Sequence, residues 1–197
     1  MAALGLVLKG SEAGPRFGIA TSPAAPDAGP PMDPALTLSL TDLAATGRLA
    51  AALAGVAKRG DFIALYGPLG AGKTALARAF ITARAAARGA PEETVPSPTF
   101  TLVQVYDFGG DEIWHFDLFR IGGWEETDEL GLDEAAHGIA LVEWPERLGP
   151  LLPKDRLDVS LDYGEGEVRT ARIQAHGPWA ARLPALRTAL THAGFAS

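Results

Sequence analysis

Hydrophobic and polar residues follow two different periods along the first half of this chain. Apolar residues at every second position predict a strand at residues 36–40, and an amphipathic pattern predicts a helix at residues 42–58. A short apolar run at residues 62–66 predicts a buried strand, and the alanine-rich segment after it predicts a helix that ends near Arg88. The order is therefore strand, helix, strand, helix, which is typical of α/β proteins.

The second half of the chain predicts two hairpins and further helices. Residues 100–108 and 112–119 are strand-like, and Gly109-Gly110-Asp111 between them favours a hairpin turn. The other predicted elements are an acidic helical stretch at residues 124–136, a short apolar strand at 138–142, a hairpin of strands at 157–163 and 168–175, and a helix at 178–192. Strands that alternate with helices, together with hairpins, predict a single α/β domain with a mixed sheet flanked by helices.

The N-terminal residues differ in composition from the rest. Residues 1–33 are rich in glycine, alanine and proline, and such a segment buries too little apolar surface to offset its ordering entropy. We expect residues 1–33 to be a disordered extension and residues 34–197 to form the folded domain.

Composition excludes several classes of function. The chain has no cysteine, so a disulfide framework, thiol catalysis and cysteine-ligated zinc are impossible. Its formal net charge of −7 argues against a broad nucleic-acid surface on this chain alone. No apolar run approaches the roughly 18 residues that span a bilayer, and the apolar run at residues 2–8 precedes Lys9, the wrong order for a signal peptide. We therefore expect a cytoplasmic protein.

The most specific motif lies between the predicted strand at 62–66 and the helix after it. The run Gly67-Pro68-Leu69-Gly70-Ala71-Gly72-Lys73-Thr74 fits G-x-x-x-x-G-K-[ST]. Glycines at these positions let backbone N–H groups surround a phosphate chain at the N-terminus of a helix. In this context Lys73 would reach the β- and γ-phosphates, and the Thr74 hydroxyl would bind Mg²⁺. The sequence thus predicts a P-loop NTPase that binds nucleotide.

Hydrolysis would also need a carboxylate near the metal, and two segments offer one. Asp117 and Glu143 each follow an apolar strand, as the acid of a Walker B motif does. The sequence does not rank them, and either could instead face solvent. We expect both to face Mg²⁺, one directly and the other through water or by positioning the attacking water.

Three further residues have more than one possible role. Thr99 follows Ser97-Pro98, which is either a turn or a switch segment that senses the γ-phosphate through Mg²⁺. His115 shares a strand face with Asp117, and we expect it to be a half-buried, hydrogen-bonded histidine. Trp144 could stack on a base or fill the core.

The nucleotide is predicted to be ATP. The chain contains no asparagine, so the Asn-Lys-x-Asp element that reads guanine in GTPases is impossible. The alternative to an ATPase is a small P-loop kinase that phosphorylates a metabolite. Such a kinase would need an acceptor pocket and usually a mobile, arginine-rich lid, and no internal segment clusters arginines in that way.

These motifs, taken in order, resemble the TsaE family, which is also called YjeE. The resemblance rests on the phosphate-loop run and on Ser-Pro-Thr-Phe-Thr-Leu-Val at 97–103, His-Phe-Asp-Leu-Phe-Arg at 115–120 and Glu-Trp-Pro-Glu at 143–146, and it extends from about residue 36 to residue 173. It implies a Mg²⁺-dependent P-loop ATPase, weakly active alone, that acts with TsaB and TsaD in threonylcarbamoyladenosine (t6A) formation. TsaD would modify the tRNA, and this chain would hydrolyse ATP to support turnover.

The resemblance also implies roles for individual residues. It makes Thr99 a switch residue and Asp117 the Walker B acid, places Glu143 near Mg²⁺ as a second acid, and puts Trp144, Thr46 and, more weakly, Arg169 beside the nucleotide. Ala50 stands where the family usually has glycine, so the local backbone around Thr46 departs from the pattern.

Overall fold

The computed structural model describes residues 36–90, 98, 101–127 and 129–196. Its strands are β1 (Leu36–Leu40), β2 (Asp61–Tyr66), β3 (Val103–Asp107), β4 (Glu112–Asp117), β5 (Ile139–Glu143), β6 (Leu157–Tyr163) and β7 (Arg169–Ala175). Its α-helices are α1 (Leu43–Val56), α2 (Lys73–Ala87), α3 (Leu132–Ala135) and α4 (Pro178–His192), and two 3₁₀ segments cover Trp124–Thr127 and Pro145–Leu151.

The strands form one mixed sheet in the order β1-β7-β6-β2-β5-β4-β3. The four central strands, β6, β2, β5 and β4, run parallel, whereas β1, β7 and β3 join by antiparallel pairing. Strands β2 and β5 have almost no exposed residues because both of their faces are covered. Because β2, β5 and β4 are neighbours and run parallel, their carboxyl ends meet at the same edge of the sheet.

Two layers of helices cover the sheet. The larger apolar core joins α1, α2 and α4 to one face, with Leu49, Phe80 and Leu186 among its buried residues. A smaller core, which includes Phe62 and Leu148, lies beneath α3 and the 3₁₀ segment Pro145–Leu151 on the other face. No helix in the described ranges is long and apolar enough to cross a membrane.

The predicted mixed α/β sheet with flanking helices is confirmed, and the main differences are local. The stretch 124–136 is not one helix: it contains a 3₁₀ turn and the short helix α3, separated by Gly131, whose φ of 79° ends a right-handed helix. Strand β3 begins at Val103 because Leu102 adopts a φ of 63°, so residues 101–102 form a turn instead of the predicted strand start. The predicted extension at residues 1–33 lies outside the described residues.

A buried ion pair fastens the β3–β4 hairpin to the helical layer. Arg84 on α2 donates to both carboxylate oxygens of Asp111 at 2.9 and 2.7 Å, and Arg88 donates at 3.2 Å. Burial raises the pKa of Asp111, but the hydrogen bonds and charges of Arg84 and Arg88 outweigh burial and lower the pKa below its usual value.

Replacing Asp111 by asparagine is expected to lower the free energy of unfolding by about 3 kcal/mol at pH 7, because Arg84 then stays buried without its carboxylate. The folded-state pKa of Asp111 lies below 3.8, so its carboxylate stabilises the protein above that pH and this contribution disappears as the pH falls through the folded-state pKa. In urea unfolding, the difference between variant and parent should therefore shrink below pH 3.8. The exposed Asp107→Asn in the same hairpin is the control, and a difference that does not change with pH would contradict the assignment.

Candidate functional site

The loop between β2 and α2 has the backbone that its glycines predict. Gly67, Gly70 and Gly72 have φ values of 133°, 79° and 109°, in the region that side chains disfavour. A Cβ atom at Gly67 would overlap the carbonyl oxygen of Leu161 on β6. The neighbouring strand therefore fixes where the loop begins, and only glycine fits there.

Helix α2 starts at the end of this loop and is suited to an anion. Gly72 precedes its first residue, and the first turn contains no acidic side chain. The N–H groups of that turn and the positive end of the helix dipole favour a negatively charged ligand at this position.

Lys73 is buried beside the loop. Its ammonium group donates to the carbonyl oxygens of Gly67 and Pro68 at 2.6 and 2.9 Å, and it lies 3.9 Å from the centre of the Trp144 ring. Burial lowers the pKa of Lys73 more than the nearby carboxylates of Glu143, Glu146 and Asp117 raise it. The ammonium charge is thus incompletely compensated, and a phosphate would supply the missing negative charge.

Thr74 and Glu143 connect α2 to the end of β5. The Thr74 hydroxyl donates to Oε2 of Glu143 at 2.8 Å, and Oε1 of Glu143 lies 2.9 Å from Nε2 of His115. Glu143 and His115 are almost completely buried. The expected half-buried histidine is therefore fully buried, and its hydrogen bond is to the candidate metal-site acid.

Asp117 ends β4 directly opposite Glu143 in the β4–β5 register. Its side chain is buried, and its Oδ1 accepts a hydrogen bond from the backbone N–H of Phe119 at 3.1 Å. The parallel pairing of β4 with β5 therefore brings both candidate acids to the edge of the sheet where the phosphate loop begins.

Trp144 closes one side of the site. It follows β5 with φ 59° and ψ 47°, a left-handed backbone that costs a residue other than glycine about 1 kcal/mol or more. Its ring lies 4.9 Å from that of Phe119 and above the Lys73 ammonium. The unusual backbone directs the indole towards the phosphate loop.

These groups enclose a cavity of about 290 Å³. It is lined by Leu69, Gly70, Gly72, Lys73, Thr74, Ala75, Asp117, Phe119, Arg120, Glu143 and Trp144. Within the described ranges, no group of three or more His, Asp or Glu side chains could hold a metal by itself. The donors present are a hydroxyl and two carboxylates, which fit Mg²⁺ at a nucleotide site, where water and phosphate oxygens supply the other ligands.

The predicted site residues fall into three groups. Five loop residues together with Asp117, Glu143 and Trp144 line the cavity, while Gly67, Pro68 and Ala71 complete the loop around it. Thr46 and Arg169 do not line it: Thr46 is buried on α1, and the Arg169 guanidinium lies 4.6 Å from the centre of the Tyr163 ring. Thr99 lies outside the described residues.

Sequence reasoning missed three residues at this site. Phe119 and Arg120 line the cavity. Both belong to the run at 115–120 on which the family resemblance rests, but no role was predicted for either. Tyr163 donates from its hydroxyl to the carbonyl oxygen of Leu69 in the phosphate loop at 2.6 Å. Tyr163 ends the run Leu-Asp-Tyr at 161–163, which lies within the stretch that resembles the family, but no role was predicted for it because the contact depends on β6 lying beside β2.

Comparisons with known proteins point to one family. The family model described as threonylcarbamoyl adenosine biosynthesis protein TsaE matches residues 40–172. The chain is 35% identical over 134 residues to the tRNA threonylcarbamoyladenosine biosynthesis protein TsaE of Bacillus subtilis, which covers 67% of this chain and 80% of that protein. The protein of the same name from a Nostoc species is 34% identical over 149 residues, 72% of this chain and 87% of the relative.

A solved structure shows the same fold. The crystal structure of YdiB from Bacillus subtilis aligns with a TM-score of 0.63 at 28% identity, over 80% of this chain and 95% of that one. The family match covers most of the described chain and includes the phosphate loop, both acids and Trp144. The chain therefore belongs to the TsaE family.

Proposed function

We propose that this chain is a Mg²⁺-dependent ATPase that supports t6A modification of tRNA, working with TsaB and TsaD. The observation that carries the proposal is the Thr74–Glu143 hydrogen bond beside the buried Lys73, with Asp117 paired opposite Glu143. It joins a phosphate-binding loop to two carboxylates, the combination that phosphoryl transfer to water needs.

The residues divide the chemistry among them. The loop N–H groups and Lys73 would bind and orient the phosphates, and Lys73 would offset charge on the leaving group. The Thr74 hydroxyl and the carboxylates of Asp117 and Glu143 would hold Mg²⁺, which would supply positive charge to offset that of the phosphates. Asp117 or Glu143 would also orient the water that attacks the γ-phosphate in line.

The assignment of ATP and of the pathway rests on different observations. The absence of asparagine removes the guanine-reading element, which favours ATP. The relatives carry threonylcarbamoyladenosine biosynthesis in their names, which supports a role in that modification. With a net charge of −7, this chain would meet tRNA indirectly, through a cytoplasmic complex with TsaB and TsaD.

The test is reconstitution. A mixture of tRNA, TsaB, TsaD, a threonylcarbamoyl donor and ATP should form several-fold more t6A per TsaD molecule when this protein is added, because ATP hydrolysis is proposed to renew the complex after each round. The matched control is the Lys73→Ala variant, which should give no increase. Equal yields with and without the parent protein would refute the role in modification.

The same protein preparation distinguishes an ATPase from the alternative, a kinase that phosphorylates a metabolite. Incubation with γ-labelled ATP and a metabolite extract should release the label as inorganic phosphate, since an ATPase uses water as the acceptor. Label recovered mainly in a small organic phosphate would favour the kinase instead.

A further inference from the structure

We propose that His115 is a positioning residue that holds Glu143 so that the Thr74 hydroxyl presents its lone pairs to the cation. This inference rests on the proposed function, because it concerns the same site. It gives His115 a functional role, whereas the sequence predicted only that this residue is half-buried and hydrogen-bonded.

The geometry is a chain of two hydrogen bonds that both end on Glu143. Nε2 of His115 lies 2.9 Å from Oε1, and the Thr74 hydroxyl donates to Oε2 over 2.8 Å. A carboxylate only accepts hydrogen bonds, so Nε2 carries the proton in this pair. With both oxygens engaged, the Glu143 side chain is fixed in one orientation.

That orientation determines what Thr74 offers to a ligand. Because its only hydroxyl proton points to Glu143, the lone pairs of its oxygen remain for a cation in the cavity. If Glu143 were free to rotate, the hydroxyl could turn its proton towards the cation site and lose its value as a ligand. His115 is not among the residues that line the cavity, so it would act through Glu143.

The surroundings of His115 indicate that its hydrogen bond to Glu143 is the reason for a histidine at this position. The residue is completely buried, and its Nδ1 has no hydrogen-bond partner among the described residues. A buried ring nitrogen without a partner is unfavourable, and an apolar residue would fill the position without that cost. What an apolar residue cannot supply is the N–H that faces Glu143.

The first experiment compares His115→Leu with His115→Gln, whose amide N–H can replace that of Nε2. Two quantities are measured: the Mg²⁺ concentration that half-saturates ATP turnover, and the Mg²⁺ dependence of binding of a non-hydrolysable ATP analogue by calorimetry. His115→Leu should raise the required Mg²⁺ at least about tenfold, the effect of losing one hydrogen bond to a charged group. Binding of the analogue without Mg²⁺ should change less than about twofold, and His115→Gln should recover most of the Mg²⁺ response.

The matched control is His176→Leu. His176 makes a similar bond to a carboxylate, with Nε2 2.8 Å from Oδ2 of Asp158, but Asp158 lies outside the cavity lining, whereas Glu143 belongs to it. Its removal should leave the Mg²⁺ dependence unchanged. If His115→Leu does not fold, His115→Asn gives the same comparison, because its amide is too short to reach Glu143.

A double-mutant cycle with Glu143→Ala separates positioning from a general structural role. Without Glu143 the histidine has nothing to position, so His115→Leu should add less than about twofold to the loss of Mg²⁺ response in that background. An equal loss in both backgrounds, or equal defects in the leucine and glutamine variants, would overturn the proposal. The analogue-binding arm requires no hydrolysis, so it decides the role of His115 even if the parent protein turns over no ATP.

Discussion

Replacing Lys73 by alanine is expected to weaken ATP binding at least about a hundredfold, because charge-assisted hydrogen bonds to phosphate are each worth about 1.5–3 kcal/mol and Lys73 would make more than one. The structure shows how Lys73 is placed for this role. Lys73 is the lysine that lines the described cavity, and its ammonium already lies among the carbonyl oxygens of the loop. Burial lowers the pKa of Lys73, and a bound phosphate would offset this cost of burying the ammonium charge.

Calorimetric titration with ATP and Mg²⁺ measures this effect directly. The matched control is Lys58→Ala, which removes the same side chain from an exposed position before β2, at the opposite end of that strand from the loop. It should bind ATP as the parent does. Affinity in Lys73→Ala within about threefold of the parent would contradict the phosphate-loop assignment, since a loss that small is less than one such hydrogen bond.

The fold was predictable because its signals are local. The alternation at β1, the continuous apolar runs of β2 and β5, and the glycines of the phosphate loop each determine the structure of a short segment. The stretch 124–136 was mispredicted for the same reason. Its composition favours helix, but Gly131 adopts a left-handed backbone so that it can pack near Trp114, which is a tertiary contact.

The site was predictable only in part, because residues far apart in sequence meet there. The motif located Lys73 and Thr74, and strand ends suggested Asp117 and Glu143. The sequence could not reveal that β5 lies between β2 and β4, which places Glu143 next to the loop strand and Asp117 one strand further away. Nor could it show that Tyr163 reaches the loop carbonyl of Leu69. Strand order and cross-sheet contacts follow from packing of the whole domain.

The second large effect that we expect is a loss of turnover when either acid is removed, because this strand order places both acids near the phosphate loop. Asp117→Ala and Glu143→Ala are each expected to lower kcat for ATP by about a hundredfold to a thousandfold, the usual cost of losing a group that stabilises or orients the transition state. ATP affinity should fall by less than about tenfold, because the loop N–H groups and Lys73 remain. The two variants should therefore separate turnover from binding.

The two variants differ in which buried groups lose a hydrogen-bond partner. Removing Glu143 deprives the Thr74 hydroxyl and the buried Nε2 of His115 of their acceptor, so Glu143→Ala should also be less stable than Asp117→Ala in urea. Asp162→Asn is the matched control: Asp162 lies near the end of β6, on the other side of β2, and its side chain is half exposed. It represents the solvent-facing alternative for a strand-end acid and should keep full activity.

Single-turnover and steady-state hydrolysis measured on folded protein decide the assignment. Glu143 accepts a hydrogen bond from the Thr74 hydroxyl, so we expect Glu143→Ala to show the larger rise in the Mg²⁺ concentration that half-saturates turnover. In Asp117→Ala we expect the larger fall in kcat at saturating Mg²⁺, because Asp117 lines the cavity from β4, one strand further from the loop than Glu143, and would act mainly on the attacking water. Full steady-state turnover in both variants would refute the metal assignment, whereas the reverse pattern would exchange the roles of the two acids.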